Sequence, residues 1–185
     1  GDVHLTVDLK RRILRDNIYG VDLDAQAVEV TQLSLYLKML EGEDRATLKR
    51  QRELFHDDTA LLPPLEENIK HGNSLIASDF SLVPEDLTRV HAFDWDVQFA
   101  EIMKGGGFDA VIGNPPYLYS AGQEYIEYFK QRYRLSEYQT DFYTYFIEKA
   151  LALVRQKGKF SFVVSASWMK AENFSKLRNH LLSDH

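Results

Sequence analysis

The stretch Phe108 to Tyr117, FDAVIGNPPY, constrains this chain more than any other. Its first half is apolar and β-prone and reads as a buried strand; Gly113 then breaks it, and Asn-Pro-Pro-Tyr follows as a stiff polar and aromatic turn. Two consecutive prolines fix φ at both positions and push Asn114 and Pro115 towards extended geometry. The Asn114 amide, the Pro115 carbonyl and the Tyr117 ring are therefore presented rigidly at the end of a strand. Rigidity of this kind suits chemistry better than packing.

The chemistry it suits is alkylation of an amino group conjugated to a ring or a carbonyl. Such a nitrogen is a poor nucleophile because its lone pair is delocalised. Two acceptors gripping its two hydrogens localise that pair towards an incoming methyl, and the Asn114 side-chain oxygen and the Pro115 carbonyl are two acceptors on adjacent residues. Tyr117 offers a face on which a flat substrate stacks. The plain alternative is a strand-end turn with a surface tyrosine, since Asn, Gly and Pro are ordinary turn residues. The strand before the turn and the rest of the chain weigh against it.

A chain of 185 residues is long enough for one well-buried α/β domain, and 44% hydrophobic with 12% aromatic residues argues against disorder. No apolar run approaches membrane-spanning length, and nothing at the N-terminus resembles a signal peptide. Cysteine is absent, which excludes disulfides and thiolate metal sites and fits a cytoplasmic protein. The six histidines are scattered without ligand spacing, so no metal is expected. A net charge of -6 runs against a DNA partner, because phosphate binding wants a basic surface. Either that surface lies elsewhere in a longer protein or the substrate is not DNA.

Along the chain, Thr6 is expected to cap a helix from Val7 to Arg15, with a short strand over Asn17 to Val21 after it. Asp24 is expected to cap a long helix, Ala25 to Leu40. Its apolar positions Val28, Leu35 and Met39, widened by Val30, Leu33, Leu37 and Leu40, make a stripe broad enough to lie against a sheet. Residues 41–68 read as a charged, variable connection with an amphipathic helix over Asp44 to Phe55. Asn68 to Ile76 is a short strand and turn. A mixed, helix-like stretch with Trp95 and Phe99 then runs to the flexible Gly105-Gly106-Gly107. Residues 118–140 are rich in Tyr, Phe, Lys and Arg, and read equally as a flap that meets nucleic acid and as a helix packing its aromatic edge into a core. Asp141 to Gln156 is the clearest helix, stopped by Gly158; Lys159 to Ser165 is the next buried strand, and Phe174 to Leu182 starts another helix.

The Asn-Pro-Pro-Tyr stretch resembles motif IV of the amino-methyltransferases that use S-adenosylmethionine. From about Asn17 to Leu182 the chain resembles the TaqI-like adenine-N6 DNA methyltransferases, including the methylase part of fused type IIG restriction-modification enzymes. The resemblance implies a Rossmann-like α/β sheet with flanking helices and S-adenosylmethionine as cofactor. It also implies double-stranded DNA with a flipped adenine as partner. Asn114, Pro115, Pro116 and Tyr117 become the catalytic loop. Asp22 becomes the acidic residue that takes the cofactor ribose and Leu23 the apolar residue that packs on its adenine. On spacing alone Asp22 and Asp24 read equally as turn and cap residues; the resemblance moves Asp22 to function and leaves Asp24 as a cap. Asn73 matches the motif III residue at the adenine edge, where relatives often have Asp, and Asp141 and Phe142 match the motif V wall of the cofactor pocket.

The family's glycine-rich strand-to-helix turn has no counterpart before Asn17, and the later strands and DNA-recognition domain have none after Leu182. The chain is therefore expected to be a partial catalytic domain over residues 1–185, lacking the first and last strands. The first strand lies between the second and fourth in such a sheet, so a gap is expected in its middle, and the isolated piece is expected to be inactive. Two other functions compete: glutamine N-methylation of a protein, which also uses this loop, and a non-catalytic binding module that keeps its shape.

Overall fold

Thr6 opens the first helix as the sequence predicts: its hydroxyl accepts the Leu9 amide at 3.3 Å. This computed structural model describes residues 5–43, 62–116, 123–135 and 141–183. The chain divides into two compact units, Gly1–Asn73 and Ser74–His185.

In the first unit, α1 (Val7–Asn17) leads to β1 (Gly20–Asp22), α2 (Ala25–Leu40) and β2 (Ile69–His71), and the two strands pair in parallel. The strand expected from Asn17 begins instead at Gly20, because α1 runs on to Asn17 and the Ile18 amide still reaches the Leu14 carbonyl at 3.4 Å. Asn68 clips this unit together: its buried side-chain amide donates to the Arg15 carbonyl at 2.8 Å and the Ile18 carbonyl at 2.9 Å, tying the end of α1 to the start of β2. Val7, Leu14, Val28, Met39, Leu65 and Ile69 form the core. The bounds of α2 match the expectation, but its stripe does not. Val28 and Met39 are buried, whereas Val30, Leu33 and Leu37 are about 60% exposed. Two strands of three residues each are too narrow to cover so wide an apolar face.

The second unit carries three short helices, α3 (Pro84–Arg89), α4 (Trp95–Gln98) and α5 (Ala100–Lys104), before β3 (Phe108–Gly113). It continues with α6 (Gln123–Arg132), α7 (Tyr143–Leu153), β4 (Val154–Phe162) and α8 (Ser175–Ser183). Within residues 118–140, helix α6 packs an aromatic edge. Tyr125, Tyr128, Phe129 and Tyr133 pack with Leu75, Ile76 and Val90, and the Tyr133 hydroxyl donates to the Leu75 carbonyl at 2.7 Å. Phe129 and Tyr133 are buried in this core and Tyr125 and Tyr128 pack half-buried against it; Tyr119 and Tyr138 lie outside the described residues, as does the helix expected over Asp44 to Phe55.

Strands β3 and β4 are parallel, with Val111 opposite Phe160 and Gly113 opposite Phe162. The helix expected to reach Gln156 ends at Leu153, because the β-branched Val154 turns extended (φ -78°, ψ 136°) and pairs with Phe108. β4 then bulges and resumes opposite Ala110 at Lys159, ending at Phe162, short of the expected Ser165. Gly158 belongs to this bulge, and close approach explains it: a Cβ there would stand 2.5 Å from Val154 Cγ2 and 3.0 Å from the Asp109 carbonyl oxygen. The expectation that β3 is buried also fails. Only Phe108 and Val111 are half-buried, and Ile112 is 83% exposed. A parallel strand is buried when both edges are paired and both faces covered, and here β4 pairs with one edge. The architecture is thus mixed α/β with two small parallel sheets; a continuous Rossmann-like sheet is not formed among the described residues. No described helix is long and apolar enough to cross a membrane.

Candidate active site

Parallel pairing sends the chain out of β1 and β2 at the same edge of the first sheet, and there the Gly72 amide donates to the Asp22 carbonyl at 2.9 Å. The turn over Asp22, Leu23 and Asp24 therefore lies beside the turn that begins at Gly72 and contains Asn73. Asp22 Oδ1 accepts the Asp24 amide at 2.8 Å, and Asp24 Oδ1 accepts the Gln26 amide at 2.9 Å. Asp24 is thus a helix cap, as expected, while Asp22 shapes the turn with one oxygen of an exposed carboxylate. Leu23 next to it is 53% exposed, and Asn73 is half-buried. His71 Nε2 lies 2.9 Å from the Leu23 carbonyl oxygen and holds that residue's backbone. An exposed carboxylate and a bare apolar side chain thus stand beside Asn73 at one end of this sheet, a set able to meet hydroxyls and the face of a flat ring.

In the second unit β3 ends at Gly113, whose carbonyl accepts the Val163 amide at 3.1 Å. The Phe162 ring lies against this glycine so closely that a Cβ would stand 2.9 Å from its Cε1 atom. Glycine is needed here for close approach, and the ring fixes the backbone immediately before Asn114. Asn114 and Pro116 are exposed, and Pro115 is buried. The loop thus offers a polar side chain from an anchored base. Tyr117 lies outside the described residues.

Asp141 is 6% exposed and stands just before α7. The Ser167 hydroxyl donates to its Oδ2 at 3.4 Å, and the Tyr143 hydroxyl lies 3.2 Å from the same Ser167 oxygen. Burial pushes the Tyr143 phenol up to about 12; the Ser167 hydrogen bond acts the other way, and the Asp141 charge adds to the rise. Ser167 sits in a 3₁₀ turn, Ala166–Met169, that follows β4. Asn114 follows β3, and the parallel pairing makes both segments leave the second sheet at one edge. Phe142 is placed differently: it packs edge-on against Phe129, Tyr145 and Phe146 as part of an aromatic core. The structure therefore gathers Asp22, Leu23 and Asn73 at one sheet edge. Asn114 and Pro115 follow β3, and Asp141 is hydrogen-bonded to the turn that follows β4.

The model of the Eco57I restriction-modification methylase family matches residues 16–185. The chain belongs to this family. Over 182 residues, 96% of this chain, it is 31% identical to the type II restriction enzyme and methyltransferase RM.Eco57I of Escherichia coli. A putative type II restriction enzyme and methyltransferase of Methanocaldococcus jannaschii is 42% identical over 67 residues, which are 36% of this chain and 5% of that protein. The type II methyltransferase M.TthHB8I of Thermus thermophilus is 36% identical over 86 residues, 42% of this chain and 20% of that protein. The match to the Escherichia coli enzyme spans 17% of its length. Within this Eco57I-family methylase segment, reading the sequence missed His71, Phe162 and Ser167. Each touches a neighbour that only the strand pairing and the turns bring close.

Proposed function

We propose that the protein to which this chain contributes methylates N6 of adenine in DNA, as the modification arm of a restriction-modification system. S-adenosylmethionine, when bound, would supply the methyl group as an electrophile, its S–CH3 bond breaking as the N6–CH3 bond forms, and would leave as S-adenosylhomocysteine. Asp22, Leu23 and Asn73 would hold its nucleoside, and Asp141 would border its pocket. Asn114 Oδ1 and the Pro115 carbonyl accept the two N6 hydrogens of a flipped-out adenine, which localises the nitrogen lone pair for attack and fixes its distance from the methyl. N6 releases one proton once the new bond has formed. Tyr117 and Pro116 complete the loop, with Tyr117 stacking on the base.

The observation that carries this reading is an exposed Asn114 delivered by a parallel strand, locked at Gly113 by Phe162 and anchored at a buried Pro115. Family membership supports it, since the relatives' names describe type II methyltransferases and restriction enzymes. The charge of -6 favours a competing reading, methylation of a protein glutamine by the same loop, unless basic surface is supplied by other parts of the protein. A cytoplasmic enzyme acting on its own cell's DNA fits the absence of cysteine.

Asn114→Ala tests the role of the loop. It is expected to lower kcat by roughly 100- to 1,000-fold, as loss of one acceptor at the reacting atom does, while S-adenosylmethionine affinity measured by calorimetry changes less than about threefold. Loss of both together would point to misfolding and remove the argument. Absence of any binding heat in the unmutated protein would favour a non-catalytic binding module.

A further inference from the structure

We infer that Ser167 is a positioning residue for the Asp141 carboxylate, which makes the turn after β4 part of the cofactor site; this rests on the reading of Asp141 proposed above. A carboxylate only accepts hydrogen bonds, and a serine hydroxyl has one proton. The Ser167 proton goes to Asp141 Oδ2, 3.4 Å away. The Tyr143 hydroxyl lies 3.2 Å from the same Ser167 Oγ. The three side chains form a hydrogen-bonded chain, Tyr143–Ser167–Asp141.

The chain has a rigid base. Tyr143 is fully buried and stacks on Phe174, ring centroids 5.8 Å apart and planes 3° from parallel. The Ser167 amide donates to Ser165 Oγ at 3.3 Å, and the Ser167 carbonyl accepts from the Lys170 amide at 3.1 Å and the Ala171 amide at 3.0 Å. Arg178 on α8 donates to the Trp168 and Ala171 carbonyls at 2.8 and 2.6 Å, which ties the turn to the last helix. Ser167 itself is exposed while Asp141 is buried. The Asp141 carboxylate has no ion pair among the described salt bridges. Buried charge is tolerated when hydrogen bonds fix it, and fixing it also aims it.

The test compares Ser167→Ala, Ser167→Thr, Tyr143→Phe and Asp141→Asn with the unmutated full-length protein. Readouts are the S-adenosylmethionine dissociation constant by calorimetry, kcat at saturating cofactor and thermal unfolding without cofactor. Ser167→Ala is expected to weaken cofactor binding roughly tenfold with kcat at saturation within about twofold, and Ser167→Thr to restore it. Tyr143→Phe is expected to weaken binding by less, with the same split. Unchanged affinity in Ser167→Ala while Asp141→Asn weakens binding would overturn the positioning role and leave the function standing. Asp141→Asn binding as well as the unmutated protein would overturn the reading of Asp141 and this inference with it. Equal loss of affinity, kcat and thermal stability in both Ser167 variants would reduce Ser167 to a structural residue and also overturn it.

Discussion

Gly113→Ala puts a methyl group where the Phe162 ring already lies. The new Cβ would stand 2.9 Å from Cε1, 3.3 Å from Cδ1 and 3.5 Å from Cζ. Carbon atoms pack best at about 3.5 to 4.0 Å, so the ring or the strand must yield by roughly 0.6 Å at the closest point. The ring is not free to do all of this, since it packs with the cluster around Tyr143, Phe174 and Leu177 and lies 5.9 Å, centroid to centroid, from Phe160. Overpacking of this kind costs about 1–3 kcal/mol, which in a chain of this size lowers Tm by roughly 4–8 °C for a central cost of about 2 kcal/mol. What the ring does not absorb passes to Asn114, the next residue, and a shift of that order is expected to reduce methyl transfer about 10- to 100-fold. Phe162→Leu should relieve the clash: the double variant is expected to regain most of the lost transfer and to show a coupling of about 1–2 kcal/mol in unfolding. Thermal unfolding and kcat on all four proteins measure both terms. Purely additive stabilities, or a Gly113→Ala protein with unchanged Tm and kcat, would refute the claim that Phe162 sets the position of Asn114.

Three further outcomes follow from the packing. Asn68→Ala removes the amide that serves the Arg15 and Ile18 carbonyls, and is expected to destabilise the protein by about 2 kcal/mol in denaturant unfolding with little change in the slope. Glu148→Ala removes the carboxylate that accepts the Arg134 and Leu135 amides at 2.8 to 3.0 Å and is expected to cost about 1–2 kcal/mol and to speed amide exchange at both positions, which hydrogen exchange would detect. The Tyr128 and Tyr143 phenols are both pushed up to about 12, chiefly by burial, and Tyr133 is raised further for the same reason. Raised folded-state values mean that their contribution is complete below the ordinary tyrosine range near pH 10 and is lost as pH rises through about 12. Unfolding followed by tyrosinate absorbance should therefore show stability falling steeply above about pH 10. A flat profile to about pH 12 would contradict it.

Much of the local structure was legible because single residues dictate it. Thr6 and Asp24 cap α1 and α2 where their side chains predict, and the strand Phe108–Gly113 begins and ends where its composition changes. What was not legible depends on partners distant in sequence. Periodicity marks Val30, Leu33 and Leu37 as apolar positions on a helix but cannot say whether anything covers them, and in this structure they are exposed. Gly158 reads as a helix stop until the Asp109 carbonyl and Val154 are seen to crowd it. The candidate site divides the same way. The turn chemistry of Asp22 and the loop of Asn114 and Pro115 are local and were readable. The Phe162 contact at Gly113 and the Tyr143–Ser167–Asp141 chain join residues 24 to 49 positions apart, and no spacing rule announces them.

The most direct test of the central claim is labelled-methyl transfer from S-adenosylmethionine by the full-length protein, with unmethylated genomic DNA and a protein extract offered together and both digested to identify the product. The account predicts label in N6-methyladenine, lost in Asn114→Ala. Label in protein glutamine, with none in DNA, would contradict it and assign the loop to the competing substrate.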